Sequence, residues 1–247
     1  MAVDVVPELK KAIETDFRTN MAKDAQVKAI TKRIRDGTAT LVDGHRYAEQ
    51  AGKNLSKALR KNLTAETLPD GKLYYNIAKR TVEPTLKNNY ELVNKTAAEI
   101  QELIDYKNNV GLKAVKALFP DSRIIGLIDK MTEDDIELDD ALAWLDEPIV
   151  NNSEAFFDDY VKANADFRQS VGMKTTIRRI TASGCCDWCG DMSGTYDYKN
   201  APPDIYRRHE HCRCDVIYES EKKLQNVWSK KTFSSEQELQ ERRNTGR

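Results

Sequence analysis

The sequence predicts a mainly α protein: an elongated helical N-terminal body followed by a small C-terminal β module. Three observations carry this reading. The 247-residue chain is 32% charged with only 11 Gly and 7 Pro, a make-up that suits long solvated helices better than a closed all-β fold. Apolar residues recur at helical spacing through the first 171 residues. At Lys174 the character changes to short β-branched runs.

The spacing predicts a first helix over 5–35 and a second over 44–63, ending before the turn-like Leu68-Pro69-Asp70-Gly71. A third runs over 73–107, where Pro84 is expected to break or kink it. Its later part puts Ile100, Leu103 and Ile104 on one face. A short helix is expected over 112–118, stopped by Pro120. Thr132-Glu133-Asp134-Asp135 reads as an N-cap with carboxylates in the first turn, opening a helix that ends near Pro148. Ser153 reads as the cap of the next helix, in which Phe156, Tyr160, Phe167 and Val171 form a core stripe and Gly172 supplies the stop.

Thr175-Thr176-Ile177-Arg178-Arg179-Ile180-Thr181 then reads as a strand, Asp215-Val216-Ile217-Tyr218 as a second, and Thr195-Tyr196-Asp197-Tyr198 as a third. From Glu221 the chain is polar and basic, with Trp228 and Phe233 as isolated apolar residues, and reads as a tail that orders on a partner. The domain organisation is therefore a helical domain over 1–172, a β module over 173–220 and a tail over 221–247.

The net charge of −1 conceals an asymmetry. Residues 1–119 carry 21 basic and 15 acidic groups, whereas residues 120–160 carry 2 basic and 13 acidic ones. Such a chain is not a polycation built to coat nucleic acid. The acidic segment reads as a solvated helical face or a docking surface. The start has no apolar run long enough for a signal peptide, and no stretch approaches the ~20 apolar residues of a membrane span. The expectation is a soluble protein made in the cytoplasm, where thiols stay reduced and a disulfide framework does not form.

All five cysteines and two of the three histidines lie within residues 184–219, GCCDWCGDMSGTYDYKNAPPDIYRRHEHCRCDVIYE. Cys186 and Cys189 form a C-x2-C pair, which lets two thiolates from one turn reach one ion. Nineteen residues intervene before His209-Glu210-His211-Cys212-Arg213-Cys214, in which His209 and Cys212 form an H-x2-C pair. Two close pairs joined by a loop are how tetrahedral zinc sites are assembled. A module of short strands has little core of its own, so the metal would supply folding free energy. The best ligand set is Cys186, Cys189, His209 and Cys212. Cys214 competes for the fourth place, because in an extended strand it shares a face with Cys212 while His211 points the other way. Cys185 precedes the pair and is expected to face away.

Other readings of the cluster are weaker. Five of five cysteines in 30 residues is not the scatter of ordinary core cysteines. A redox C-x2-C wants a helix N-terminus in a βαβ setting, which is absent from the pattern. A catalytic zinc needs an open position and a base, and HEHCR is not H-E-x-x-H. The H-x-E that precedes the C-x2-C of nucleobase deaminases is missing too. Neither a Gly-rich phosphate loop nor G-x-S-x-G is present, so no enzyme is expected. Arg207, Arg208 and Arg213 flank the cluster, where they would either touch phosphate or pair with Asp191, Asp204 or Asp215.

The order Cys186, Cys189, Gly194, Pro202 or Pro203, His209, Cys212, Arg213, Cys214, led by the strand Ile177-Arg178-Arg179-Ile180-Thr181, resembles the C-terminal motif of the tailed-phage minor head proteins, the Mu F-like or phage head morphogenesis family. Glu210 stands where the family usually has Pro. The motif covers about 45 of the 247 residues. The resemblance implies a low-copy virion protein inside the head at the portal vertex, with the portal protein and major capsid or other head proteins as partners, acting in head assembly or DNA ejection. The alternative is a zinc-stabilised nucleic-acid-binding module in which the flanking arginines contact packaged DNA.

Overall fold

The helix that organises the molecule carries a small residue every fourth position: Gly44, Ala48, Gly52 and Ser56, all buried. This helix, α3 (Leu41–Asn62), opens on a capping box in which the Thr40 N–H donates to Asp43 Oδ2 at 2.9 Å. The small stripe lets α7 (Glu147–Ser170) approach closely. A Cβ built at Gly44 would lie 2.5 Å from Phe157 Cε2, and one at Gly52 would lie 2.8 Å from the Val150 Cα. The computed structural model describes residues 4–220, 224–226, 231–233 and 240.

Around the α3–α7 pair pack α1 (Val6–Lys23), α2 (Ala25–Arg35) and α4 (Tyr75–Lys107), while α5 (Asp121–Met131) packs on α4 and the short α6 (Leu138–Ala143) on α5. A three-stranded antiparallel sheet follows, with β1 (Thr175–Ile180) in the centre, flanked by β2 (Gly194–Asp197) and β3 (Asp215–Ser220). Ile177 faces Tyr196 on one side and Tyr218 on the other. The protein is thus mainly helical with a small sheet. The sheet's buried residues Ile177, Val216, Ile217 and Tyr218 belong to the same apolar cluster as Leu55, Phe156, Phe157 and Tyr160 of the helices. A buried polar clasp reinforces that seam: Arg168 of α7 pairs with Asp105 of α4 and donates from Nε to Tyr218 Oη at 3.1 Å. No described helix is long and apolar enough to cross a membrane.

Several local expectations are corrected. The first helix is two, because Asp24 turns extended and its carboxylate accepts from the Gln26 and Val27 N–H groups at 2.8 and 3.0 Å. Pro84 does not break α4. The turns on either side are buried through Thr81, Val82, Thr85 and Leu86, and packing outweighs the missing hydrogen bond. Residues 112–118 are irregular, not helical. The Asn164 side-chain amide pairs with both the N–H and the C=O of Val115 at 2.7 Å, and Asn94 Oδ1 accepts from Ala117 N at 3.3 Å. These side chains satisfy the backbone groups that a helix would otherwise have paired.

Thr132 ends α5 instead of starting a helix; its hydroxyl donates back to the Ile128 carbonyl at 2.8 Å. Pro148 lies in the first turn of α7, where its missing N–H costs nothing, so Ser153 is interior and not a cap. In the aromatic stripe Phe156 and Tyr160 are buried, while Val171 is 50% exposed. Beyond Ser220, β4 (Leu224–Asn226) and β5 (Lys231–Phe233) pair antiparallel. The rest of the segment expected to be a tail, with Trp228, lies outside the described residues.

Gly52→Ala tests the close approach. Alanine raises helix propensity by about 1 kcal/mol, but its Cβ meets backbone that has to move, a penalty of about 1–3 kcal/mol. The melting temperature is expected to fall for Gly52→Ala and to rise for Gly126→Ala, whose Cβ would point into open space on α5.

Candidate metal centre

The cysteine cluster is built from two turns that leave the same end of the sheet. After β1 the chain passes Cys185, which is exposed, and reaches Cys186 at the start of the short helix α8 (Asp187–Asp191), in which Cys189 is buried. The second turn precedes β3. The Cys212 N–H donates to the His209 carbonyl at 3.1 Å, and His211 takes φ 58° between them. That positive φ throws the His211 side chain into solvent, 73% exposed and 3.5 Å from Glu147.

The two turns bring donors together. His209 Nε2 lies 3.2 Å from Cys186 Sγ and 3.0 Å from Cys189 Sγ. Cys189 Sγ lies 3.8 Å from Cys212 Sγ. Cys189 is therefore shared by two groups able to hold a metal, Cys186–Cys189–His209 and Cys189–Cys212–Cys214. His209 Nδ1 is 2.6 Å from the Glu210 carbonyl and donates to it, which leaves the Nε2 lone pair directed at the sulfurs. All five cysteines are free thiols. A donor set of thiols and one imidazole without a carboxylate is chemistry suited to a soft or borderline divalent ion. Burial pushes the Cys189 thiol up to about 12, so without an ion it stays protonated.

Little apolar packing reaches the donors themselves: Cys189, Cys212 and Cys214 form a cluster of their own with Trp188 packed against it, while Ile205, in the loop ahead of His209, is buried in the main core. The turns are anchored to the helical body by charge. Arg208 is buried, donates to both Asp158 carboxylate oxygens, lies 3.9 Å from Glu154 Oε2, and reaches the Cys212 carbonyl at 3.4 Å. Arg213 lies 3.1 Å from Glu154, 2.8 Å from Glu147 and 3.3 Å from Glu49. His45 of α3 completes the network, donating from Nδ1 to Asp215 at 2.7 Å and accepting at Nε2 from Arg208 at 2.8 Å.

The acidic segment is consequently not a wholly solvated face: its Glu147, Glu154 and Asp158 are the internal partners of the motif's arginines. Arg208 and Arg213 spend their charge there, and not on Asp191, Asp204 or Asp215. Only Arg207, near Asp204 at 3.9 Å, remains on the surface. Reading the sequence also missed His45 and Arg179. Arg179 carried a legible signal, since the period of two puts it on the buried face with Thr175 and Ile177. His45 had none.

Glu154 Oε1 has no hydrogen-bond donor and faces, at 3.5 Å, an imidazole nitrogen that is already accepting. Burial raises its carboxyl from 4.5 to about 7 against the pull of Arg208, His45 and Arg213. Because the folded value is the higher one, the folded protein keeps a proton that the unfolded chain has lost between pH 4.5 and 7. The Glu154 contribution therefore weakens as pH rises through that window. Glu154→Gln is expected to flatten this part of the stability–pH curve measured by urea unfolding. No family model matches this chain, and neither a curated protein nor a solved structure matches it.

Proposed function

We propose that this chain is a structural, non-enzymatic minor head protein of a tailed phage, acting inside the head at the portal vertex in head assembly or DNA ejection, and that its cysteine cluster holds one structural zinc ion. The observation that carries the reading is that the C-x2-C and H-x2-C pairs meet at the Cys189 sulfur, which belongs both to the Cys186–Cys189–His209 group and to the Cys189–Cys212–Cys214 group. For four tetrahedral ligands with zinc–sulfur distances of about 2.3 Å, sulfurs are about 3.8 Å apart. The Cys189–Cys212 separation of 3.8 Å fits that edge.

Cys186, Cys189, His209 and Cys212 would fill the coordination shell and leave no place for a reacting water. Glu210, the carboxylate next to His209 in sequence, is 78% exposed at its side chain and lies beside His211, outside the cluster. A closed centre between two turns acts as a fastener. It would close the end of the sheet where apolar packing is thinnest, while the arginine network ties the same turns to the helices. The order of these residues along the chain and the strand that leads into them support the phage-head reading, with the portal protein and major capsid or other head proteins as partners.

The purified protein is expected to hold about one zinc per chain by elemental analysis. Cys189→Ser is expected to lose the metal, with faster amide exchange over 185–214. Metal-free wild-type protein that melts unchanged would overturn the zinc assignment. The assembly role predicts a portal gene next to the coding sequence and the protein itself in purified heads by mass spectrometry; heads that lack it would overturn that role.

A further inference from the structure

Arg179 is one of the largest fully buried side chains, 1% exposed, and no carboxylate lies within 4 Å of it among the described residues. A guanidinium taken out of water without an anion is costly. Its Nη1 donates to the carbonyls of Ile205 and Arg207 at 2.5 and 3.1 Å, which satisfies that nitrogen but supplies no charge, and its buried Nε has no hydrogen-bond partner among the described residues. The guanidinium carbon sits 5.1 Å from the centre of the Trp188 ring, again without a formal charge. Its Nη2 is directed at two sulfurs, Cys212 Sγ at 3.4 Å and Cys189 Sγ at 3.6 Å. A thiol is a poor partner for a buried cation, whereas a metal-bound thiolate is a good one.

We propose that Arg179 is the counter-ion and positioning residue of the metal centre: its guanidinium bridges the thiolates of Cys189 and Cys212 and thereby selects Cys212, not Cys214, as the fourth ligand. This rests on the zinc reading above. The charge count agrees. Three thiolates and a neutral imidazole around a divalent cation leave the centre at −1, and Arg179 brings the buried unit to zero. Cys214 in place of Cys212 would give the same charge, so the choice between them rests on the Nη2 contacts to Cys212 and Cys189. The sequence places the guanidinium there by register alone: on β1 the side chain of Arg178 is exposed and that of Arg179 turns inward beneath the two turns.

The test uses the full chain and Zn2+ or Co2+ alone. Affinity is read by competition with a chromophoric chelator, and thiolate coordination by the cobalt–sulfur charge-transfer band. Arg179→Met is expected to bind zinc about 10–100-fold more weakly than wild type. Arg179→Lys, which keeps the charge but cannot bridge two sulfurs, is expected to fall between. Cys214→Ala is expected to keep wild-type affinity and cobalt spectrum, and Cys212→Ala to lose both. A folded Arg179→Met with wild-type affinity would sink the counter-ion role. If that variant does not fold, unchanged affinity in Arg179→Lys would do the same. Cys214→Ala losing metal while Cys212→Ala retains it would overturn the ligand assignment. Wild-type protein that binds neither ion removes the zinc reading itself, an outcome distinct from the others because in those wild type still binds.

Discussion

Arg208 is the interaction on which the arrangement of this molecule turns. It is a buried cation held between Asp158 and Glu154 of α7 and His45 of α3, and it reaches back to the carbonyl of Cys212. A charge so deep is tolerated only when its partners are already in place, and removing one member of such a group costs about 3–5 kcal/mol. The partners are in place because α3 and α7 nearly touch, which the glycines of α3 allow. Helix packing thus determines where two carboxylates and an imidazole meet. Their meeting point in turn determines where the second cysteine turn is held.

Two kinds of cohesion divide the labour. The middle of the sheet is held by apolar burial and by the Asp105–Arg168–Tyr218 clasp, so β1 and β3 need no metal to stay on the helices. At the open end apolar support is thinner, with Ile205 reaching the main core but the cysteines packed only with one another and Trp188. There the chain relies on charge from below, through Arg208 and Arg213, and on sulfur and imidazole donors between the turns. A metal at this end would complete a structure already largely positioned, which makes it a clamp for loops 181–193 and 201–214 more than the nucleus of a separate domain.

The same wiring bears on what the arginines of the motif are for. In sequence they look like a phosphate-contacting patch. In the fold Arg208 and Arg213 are internal counter-charges, and Arg179 faces sulfur. The apparent acidic block is reduced correspondingly, since three of its carboxylates point inward. What remains on the surface is more neutral than the charge pattern along the chain suggests.

The local features were legible from the chain. The C-x2-C and H-x2-C spacings depend on a few consecutive residues, the alternation of β1 on a period of two, and the capacity of the first 171 residues for helix on repeating apolar positions. Helix ends were less legible: Asp24, Thr132 and Pro148 each suit two positions at a helix terminus, and neighbouring elements chose between them. The non-helical path of 112–118 depended on Asn94 and Asn164, whose amides replaced the helical hydrogen bonds from distant points of the sequence. Apart from Arg179, whose place on β1 the period of two signals, which charges are buried was not readable. The pairs Arg208–Asp158, Arg213–Glu154 and Arg168–Asp105 each span 50 residues or more, and only a folded chain brings such groups close enough for their attraction to exceed the cost of leaving water.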